Sequence, residues 1–369
     1  MKIAYVAIHL EKKYLQSGVG RKIFSHIAFW RKEGHQVEFF LHSPDDDVYP
    51  NTHLFRYSSK ISLPVIGRFF LEVSRSYQLW RLIRRIKEYQ PDIIYLRFGL
   101  FTIPLGGLFK VSKVILEVNS NDIDEYKSRG WFFYYWNKWT RQLIFKPASG
   151  FVTMSNELSE MKQNSKFSKP SVIIPNSINL DLFPFFPAPK SDKLRVVFVG
   201  IPGQSWQGTD KLVVLAKAFP ELIIDLIGFL PEDLGIPIPN NMVFHGLVSL
   251  SEVQNIMKSA DTAFGTLALH RKNMQETSSL KTGEALALGI PLIMANDEPA
   301  FINHDSEFIL KIPNEEKNIS FYKDEIFSFI KNMKGKRVPR NEVEPLISQV
   351  VWEKKKLAFM TLLKKGYKG

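Results

Sequence analysis

The chain has 369 residues, more than one hydrophobic core usually supports, so two domains are expected. It contains no cysteine, which excludes disulfides, thiolate metal sites and a cysteine nucleophile. Its first residues, 1–8, are too few and too soon followed by charge to form a signal peptide, and no apolar run approaches the length of a membrane span. A cytoplasmic location is therefore the expectation.

The net charge of +12 is unevenly distributed along the chain. Residues 1–190 contain 27 Lys and Arg against 16 Asp and Glu, whereas residues 191–340 contain 16 against 18. The first half should therefore meet an anionic partner, such as a membrane surface or a lipid-linked phosphate. No recognised nucleic-acid-binding motif accompanies the basic residues, so no nucleic-acid partner is predicted.

An opening strand leads into a glycine-containing loop, Ser17-Gly18-Val19-Gly20, and then into a predicted helix over 21–33. Strand, glycine loop and helix form the pattern of a nucleotide-binding α/β half. The third glycine of a dinucleotide site is missing, so glycines that only turn the chain are an equal alternative.

A strand over 36–41 is followed by an acidic run over 45–47, which is predicted to be a solvated loop. A long helix is predicted over 68–90, where Pro91 ends it. It carries basic residues and, at helical spacing, the apolar residues Phe70, Val73, Tyr77, Trp80, Ile83 and Ile86. Two interpretations stay open: a core helix with a basic solvent face, or an amphipathic helix lying on an anionic membrane.

Strands are predicted over 92–96 and 113–118, and the second ends in polar residues. Ligands of open α/β sheets collect at the carboxyl ends of strands, so Glu117, Asn119 and Asn121 are candidates for binding a second substrate.

Asp122 and Asp124 have an Asp-x-Asp spacing that can bind a divalent cation, although the pattern is short. The stretch over 131–146 is crowded with aromatic residues. It is predicted to be either packing or a second membrane-facing surface.

Strands over 150–154 and 171–174 close the first alternating series, and the three prolines within 183–190 predict a linker. The predicted fold class is α/β with two Rossmann-like domains. The predicted divisions are 1–187, 188–347 and a basic C-terminal helix over 348–369.

The second series begins with a strand over 194–200 and a glycine-rich loop over 200–208, followed by a helix from Thr209. Further strands are predicted over 222–227, 242–245 and 261–265.

The segment over 275–291 combines charged residues with a clear helix end. Glu276 is predicted to lie in a loop and Glu284 inside a short helix, which Gly289 and Pro291 end.

Lys281 falls in the first turn of that helix, where free N–H groups and the helix dipole favour anions. An anion held between Lys281 and the backbone donors of Ser278, Ser279 and Leu280 would explain this position as a phosphate site. A surface helix with a capping serine and a solvated lysine is the alternative.

Several motifs carry a family resemblance. Glu276 and Glu284 match a Glu-x7-Glu signature, and 283–293 and 172–183 match the segments that accompany it. Further matches lie at 115–119, at the Gly18-Val19-Gly20 loop and at Trp352. In these motifs the chain resembles the retaining GT-B glycosyltransferases of family four.

The resemblance implies two facing Rossmann-like domains, the N-terminal one for the acceptor and the C-terminal one for a nucleotide sugar, with a final helix crossing back to the first. It places Glu284 at the ribose hydroxyls, Glu276 at the donor sugar, and the backbone N–H groups of Ser279 and Leu280 at the sugar or the phosphates. No metal or other cofactor is implied, so Asp122 and Asp124 are not expected to bind one. The remaining donor-binding candidates are Ser278, Gly200 and Gly203, and the acceptor-binding candidates are Gly18, Val19, Gly20, Glu117 and Asn119.

One departure from the family pattern concerns the diphosphate. Many members hold it with an Arg and a Lys at positions that are Ile201 and Gln207 here. Lys281 is the nearest replacement cation by sequence, and Arg271 and Lys272 are the next candidates.

The leading hypothesis is sugar transfer from a nucleoside diphosphate sugar to a hydroxyl of a glycan or lipid-linked glycan, with retention, in surface polysaccharide synthesis. The alternatives are a non-catalytic nucleotide-binding protein, a nucleotide-sugar epimerase and an inverting transferase. A peripheral position at the inner face of the membrane, through 68–90, accompanies the hypothesis.

Overall fold

The computed structural model describes residues 1–16, 18–46, 51–58 and 66–366, with side chains from residue 70 onward in the last range. The chain forms two compact units. The first contains Met1–Ile174 and Glu353–Gly369, and the second contains Pro175–Trp352.

The described residues of the first unit form a seven-stranded parallel sheet in the order β3-β2-β1-β4-β5-β6-β7. Its strands are β1 Lys2–Ile8, β2 Gln36–Ser43, β3 Thr52–Arg56, β4 Ile93–Arg97, β5 Lys113–Val118, β6 Gly150–Thr153 and β7 Ser171–Ile173. The 3-2-1-4 order, with its reversal between β1 and β4, defines a Rossmann-like sheet. All the predicted strands are confirmed, but β3 was missed in a stretch that reads as polar and turn-rich.

The helices of the first unit cover both faces of this sheet. They are α1 Lys12–Leu15, α2 Gly18–Lys32, α3 Ile66–Tyr89, α4 Asp122–Ser128, α5 Trp131–Thr140, α6 Gln142–Phe145, α7 Asn156–Glu160 and α8 Lys162–Ser165, with a 3-10 helix at Ile103–Lys110. Alternate residues of β1 point to opposite faces, so Val6 packs in the core below α3 and α6 while Tyr5 contacts Trp30 of α2.

The predicted glycine loop is wrong in part, because α2 already begins at Gly18. Gly18, Val19 and Gly20 form its first turn. A Cβ atom at Gly20 would lie 1.7 Å from the carbonyl oxygen of Leu15, so glycine lets α1 approach α2 closely.

The second unit contains, among its described residues, a six-stranded parallel sheet in the order β10-β9-β8-β11-β12-β13. Its strands are β8 Arg195–Val199, β9 Ile223–Ile227, β10 Met242–Phe244, β11 Thr262–Phe264, β12 Leu292–Met294 and β13 Ile309–Lys311. Its helices are α9 Thr209–Ala218, α10 Leu250–Lys258, α11 Leu280–Ala287, α12 Asn318–Met333 and α13 Arg340–Ile347, with 3-10 helices at Leu180–Leu182, Ser205–Gln207, Pro231–Leu234 and Leu269–Lys272. The order is again that of a Rossmann-like sheet.

The division between the units lies earlier than the proline-rich linker predicted over 183–190. Phe183 is buried in the core of the second unit, and Phe186 packs against that core. Asn176 donates a hydrogen bond to Ser278 of the same unit. The predicted linker is therefore part of the second unit, because its aromatic side chains supply apolar contacts that its prolines do not reveal.

The last helix, α14 Gln349–Lys365, begins in the second unit and contributes its residues from Glu353 onward to the first. Glu353 accepts a hydrogen bond of 2.7 Å from Nε1 of Trp30 in α2, and Met360 is fully buried. No helix in the described ranges has both the length and the apolar character needed to cross a bilayer.

Candidate functional site

The segment around Glu276 is fixed to the carboxyl edge of the second sheet. The backbone of Glu276 pairs with that of Asp297, just after β12, and the N–H of Thr277 donates to the Asp297 carbonyl at 3.0 Å. Glu276 and Asp297 also line a cavity of about 560 Å³, a size that suits a small ligand. The structure thus brings Glu276 to the sheet edge where ligands of such folds bind.

Helix α11 follows directly, as the sequence predicts. It begins at Leu280 and ends at Ala287, so Glu276 lies in the preceding loop and Glu284 inside the helix. Glu284 is 6% exposed. Its predicted role at the ribose and that of Glu276 at the sugar stay predictions.

Ser278 is positioned by Asn176. The backbone N–H of Asn176 donates to Ser278 Oγ at 2.8 Å, and its side-chain amide donates to the Ser278 carbonyl at 2.7 Å. Ser278 is buried. The structure therefore gives Ser278 the task of holding the loop, whereas direct contact with a donor stays a prediction.

Glu298 is a site residue that the sequence reasoning missed. It is buried, and its carboxyl group accepts a hydrogen bond of 3.2 Å from the backbone N–H of Ser279, the residue that caps α11. Burial raises the pKa of Glu298 to about 8, and the negative charge of Glu276 acts in the same direction. The missed signal is the polar run that follows the buried strand β12.

Lys281 points from α11 into the second unit, towards the loop that follows β8. Its Nζ lies 3.9 Å from the centroid of the Phe198 ring and 3.4 Å from Oε1 of Gln207. Burial lowers the pKa of Lys281 to about 7. Within the described ranges no carboxylate forms an ion pair with this ammonium group, so it is available to a bound anion.

Gln207 connects Lys281 to the glycine-rich loop. It is buried, and its amide nitrogen donates to the Ile201 carbonyl at 3.0 Å. A Cβ atom at Gly200 would lie 2.8 Å from the rings of Phe198 and Phe229 as well as 2.0 Å from Gln207 Oε1, so this position requires glycine. Gly203, with φ of 79°, turns the same loop. Gln207 is neutral where the resemblance leads one to expect a lysine, and the ammonium group of Lys281 in α11 lies beside it.

Arg271 is not a reserve cation for the site, which corrects that expectation. Its guanidinium group is paired with Asp210 at 2.8 Å and also with Glu316. Hydrogen bonds from Arg271 and His270 hold the pKa of Glu316 at about 2. Lys272 lies over the Trp206 ring, with Nζ 4.5 Å from its centroid. Arg271 therefore links Asp210 of α9 to Glu316, which lies just before α12.

In the first unit, Glu117 does not present a free carboxylate at the end of β5. Its two oxygens meet Lys22 of α2 at 3.2 Å and Arg97 at 3.3 Å, and the side chain is buried. Burial favours the neutral form, but Lys22 and Arg97 hold the pKa of Glu117 well below its ordinary value. Glu117 therefore holds two cations in place, and its expected contact with an acceptor stays a prediction.

Lys22 was missed as a site residue although it lies close to the glycines of α2. Its Nζ donates to Asn119 Oδ1 at 2.7 Å, and burial lowers its pKa to about 8. The signal that could have found Lys22 is the one that identified Lys281, namely a lysine near the start of a helix. Gly18, Val19 and Asn119 are near Lys22, and their contact with an acceptor stays a prediction.

The Asp122 and Asp124 pair does not have the arrangement of a metal site. Asp122 is buried in an ion pair with Arg141 at 2.8 Å, and Asp124 bonds to Asn121 at the start of α4. Over the described ranges, no group of three or more His, Asp or Glu side chains could hold a metal ion. Independence from metals stays a prediction.

The family comparison bears on this geometry. Residues 16–182 match the family described as Glycosyltransferase Family 4. No curated protein sequence matches the chain.

Solved structures resemble the whole chain at low sequence identity. Sucrose-phosphate synthase from Thermosynechococcus elongatus has a TM-score of 0.70 at 15% identity, covering 99% of this chain and 100% of that one. The lipopolysaccharide outer core galactosyltransferase WaaB, in its apo form, has a TM-score of 0.67 at 15% identity, covering 99% and 100%. Anabaena HepE in complex with UDP and glucose has a TM-score of 0.67 at 13% identity, covering 98% and 99%.

These likenesses confirm the predicted GT-B fold. The family match is confined to residues 16–182, so that segment is similar to Glycosyltransferase Family 4, and the solved structures extend the likeness of fold over the whole chain.

Proposed function

We propose that the protein transfers a sugar from a nucleoside diphosphate sugar to a hydroxyl group of a glycan or lipid-linked glycan, with retention at the anomeric carbon. The observation that carries the proposal is the position of Lys281. Its ammonium group lies 3.4 Å from Gln207, beside the glycine-rich loop, at the start of the helix that carries Glu284. A UDP sugar is the donor we favour, because HepE was solved with UDP and glucose.

The difficult step of such a reaction is departure of the diphosphate. The bond from the anomeric carbon to the phosphate oxygen breaks, the oxygen keeps the electron pair, and the sugar acquires oxocarbenium character. The acceptor hydroxyl attacks from the same face and its proton passes to the departing phosphate oxygen. Lys281 and the N–H groups opening α11 stabilise the charge that develops there.

Burial makes Lys281 effective in this role. An ammonium group in a poorly solvated position interacts more strongly with an anion than a solvated one does. A bound diphosphate would also keep Lys281 protonated, since a nearby negative charge raises the pKa of a lysine. Glu276 would contact the donor sugar, and Glu284 would accept hydrogen bonds from the ribose hydroxyls.

The donor can be identified in two steps. Thermal stability is measured with UDP, GDP, dTDP and CMP, where a nucleotide at about 100 times its dissociation constant adds roughly 2.7 kcal/mol. Consumption of the matching nucleotide sugars is then measured with candidate glycan acceptors, and NMR of the product reports its anomeric configuration. Retained configuration is the expected result, and an inverted product contradicts the proposed stereochemistry.

A non-catalytic nucleotide-binding protein is the second candidate. Ile201 and Gln207 favour it, because neither supplies the positive charge that the family usually places at these positions. Stabilisation by a nucleotide without consumption of any donor would support this candidate. A nucleotide-sugar epimerase would instead change the donor sugar without an acceptor.

We also propose peripheral contact with an anionic membrane through α3. Tyr77 and Trp80 of this helix are 56% and 50% exposed, whereas Leu82 and Ile86 face the core. The predicted apolar stripe therefore divides between the core and the solvent. Basic residues flank the exposed aromatic rings, and Arg84 lies 6.0 Å from the Trp80 ring. An amphipathic, basic helix of this kind is suited to a lipid headgroup region.

A further inference from the structure

Helices α5 and α6 carry a row of apolar side chains that faces outward. Trp131, Tyr135, Trp139 and Leu143 follow one another at intervals of four residues, and we call them the aromatic row. Their exposed fractions are 76%, 44%, 67% and 48%. Four-residue spacing places side chains on one side of a helix, so the row forms one continuous surface.

The inward side of α5 is polar. Asn137 is buried and donates a hydrogen bond of 2.7 Å to Asp122 of α4, which also pairs with Arg141 at 2.8 Å. Trp136 donates from Nε1 to the Phe101 carbonyl at 2.9 Å. A surface helix of a soluble domain normally presents its apolar side inward. The reversed arrangement leaves the aromatic row exposed to solvent among the described residues of its unit.

The charge around the row indicates the chemistry of its partner. No Asp or Glu occurs over residues 126–156. The basic side chains of Lys127, Lys138 and Lys146 are exposed in that stretch, and Arg129, also exposed, pairs with Glu125 at 2.6 Å. Exposed tryptophan and tyrosine among basic residues are typical of proteins that rest in the headgroup region of an anionic bilayer.

The row lies on the same side of the sheet as α3. Leu79 and Leu82 of α3 and Ile144 and Phe145 of α6 pack into one core cluster against the same sheet face. The outward sides of α3 and of α5–α6 therefore both point away from that face. Ile103, in the 3-10 helix of the same layer, is 76% exposed.

We propose that α5–α6 binds the interface of an anionic phospholipid bilayer by inserting the aromatic row, so that α3 and α5–α6 form one membrane-facing side of the first unit. The proposal does not depend on the transfer reaction. It assigns to α5–α6 the insertion of aromatic side chains and to the surrounding lysines and arginines the attraction to anionic headgroups.

The test is binding of the full chain to vesicles of phosphatidylglycerol and phosphatidylcholine, measured by flotation. The double variant Trp131→Ser/Trp139→Ser should bind at least about tenfold more weakly, since each ring buries a large apolar area. The matched control is Phe321→Ser on α12, an aromatic residue 68% exposed in the second unit, which should bind like the unchanged protein. Equal binding of the double variant and the control overturns the proposal.

A second measurement separates insertion from adsorption. Brominated lipids should quench the fluorescence of the unchanged protein, and the variant Trp131→Phe/Trp139→Phe should lose a clear part of that quenching while it keeps binding, the remainder coming from Trp80 of α3. Because phenylalanine preserves an apolar ring, this variant also guards against misfolding of the serine variant. Undiminished quenching in the phenylalanine variant overturns the proposal.

Two other outcomes also decide against it. Loss of binding on Tyr77→Ser/Trp80→Ser alone, with the α5 variants unaffected, would assign the membrane contact to α3 only. A dimer in sedimentation velocity without lipid, abolished by Trp131→Ser/Trp139→Ser, would show that a second copy covers the row.

Discussion

Glu298 is a carboxyl group whose pKa, about 8, keeps it largely protonated at neutral pH. It is buried behind the loop that carries Glu276, and it accepts a hydrogen bond from the N–H of Ser279. A protonated carboxyl group can satisfy that donor without placing a second negative charge beside Glu276. Glu298 therefore acts as a positioning residue for the start of α11.

The replacement Glu298→Gln should stabilise the protein by an amount that grows with pH. In the unfolded chain this carboxyl group loses its proton near the ordinary value of 4.5, whereas in the folded protein it does so near 8. Between these values the folded state holds a proton that the unfolded state has released, so the free energy of unfolding falls as pH rises and levels off above about 8. Glutamine does not titrate.

Urea denaturation of both proteins at pH 4, 6 and 8 measures this difference. The advantage of the variant should increase across the series. A difference that is independent of pH would show that the carboxyl group titrates alike in both states.

Glu117 offers a prediction of the opposite kind, because its charge is needed. The replacement Glu117→Gln removes the buried shared partner of Lys22 and Arg97 and leaves two partly buried cations without it. Breaking a buried ion pair in this way costs about 3 to 5 kcal/mol. The matched control Glu88→Gln removes an exposed partner of Arg85 on α3, and such surface pairs contribute about 0 to 1 kcal/mol. Denaturant unfolding compares the two, and similar losses would contradict the assigned role.

At the scale of elements, α14 joins the end of the chain to the first unit through a buried apolar side. Met360 is fully buried, whereas Leu362, two residues on, is 46% exposed. The replacement Met360→Ala should therefore cost about 2 to 5 kcal/mol. Leu362→Ala, which removes a similar volume from the solvent side, is the control and should cost far less. Equal shifts of the two melting temperatures would argue against this packing.

The sequence predicts elements well where one periodicity dominates. The helix over 280–287 was predicted from an apolar run that is followed by the helix-ending residues Gly289 and Pro291. The sequence did not predict which side of α3 faces the core. Trp80 and Ile86 are both apolar at helical spacing, but only Ile86 is buried. A pattern of apolar residues cannot by itself distinguish a core contact from a partner surface.

The start of α2 and the linker show a second limit. Gly18 and Gly20 read as a loop because glycine disfavours helices, but the close approach of Leu15 requires glycine inside the helix. Proline punctuation likewise placed the division of the chain at 183–190, whereas Phe183 is buried in the second unit. Contacts between residues distant in space determine both the start of α2 and the division between the units, and the preferences of the local sequence do not reveal such contacts.

For the whole molecule, the alternation of strands and helices in two series predicted two Rossmann-like units, and the resemblance of the motifs to a known family implied the GT-B fold. It also placed Glu276, Lys281 and Glu284 on the correct loop and helix. It could not predict which charged groups are already paired. Arg271 and Glu117 read as available charges, but partners distant in sequence occupy both.

The central claim is that Lys281 supplies the positive charge for departure of the diphosphate. The most direct test is turnover of the donor identified by the nucleotide panel, compared between the unchanged protein and Lys281→Ala. Removing one preorganised donor typically costs about 3 to 4 kcal/mol, so turnover should fall by roughly 10² to 10³-fold. Lys217→Ala, an exposed lysine on α9, should retain normal turnover, and circular dichroism should show both variants folded. A folded Lys281→Ala protein with nearly normal turnover would contradict the account.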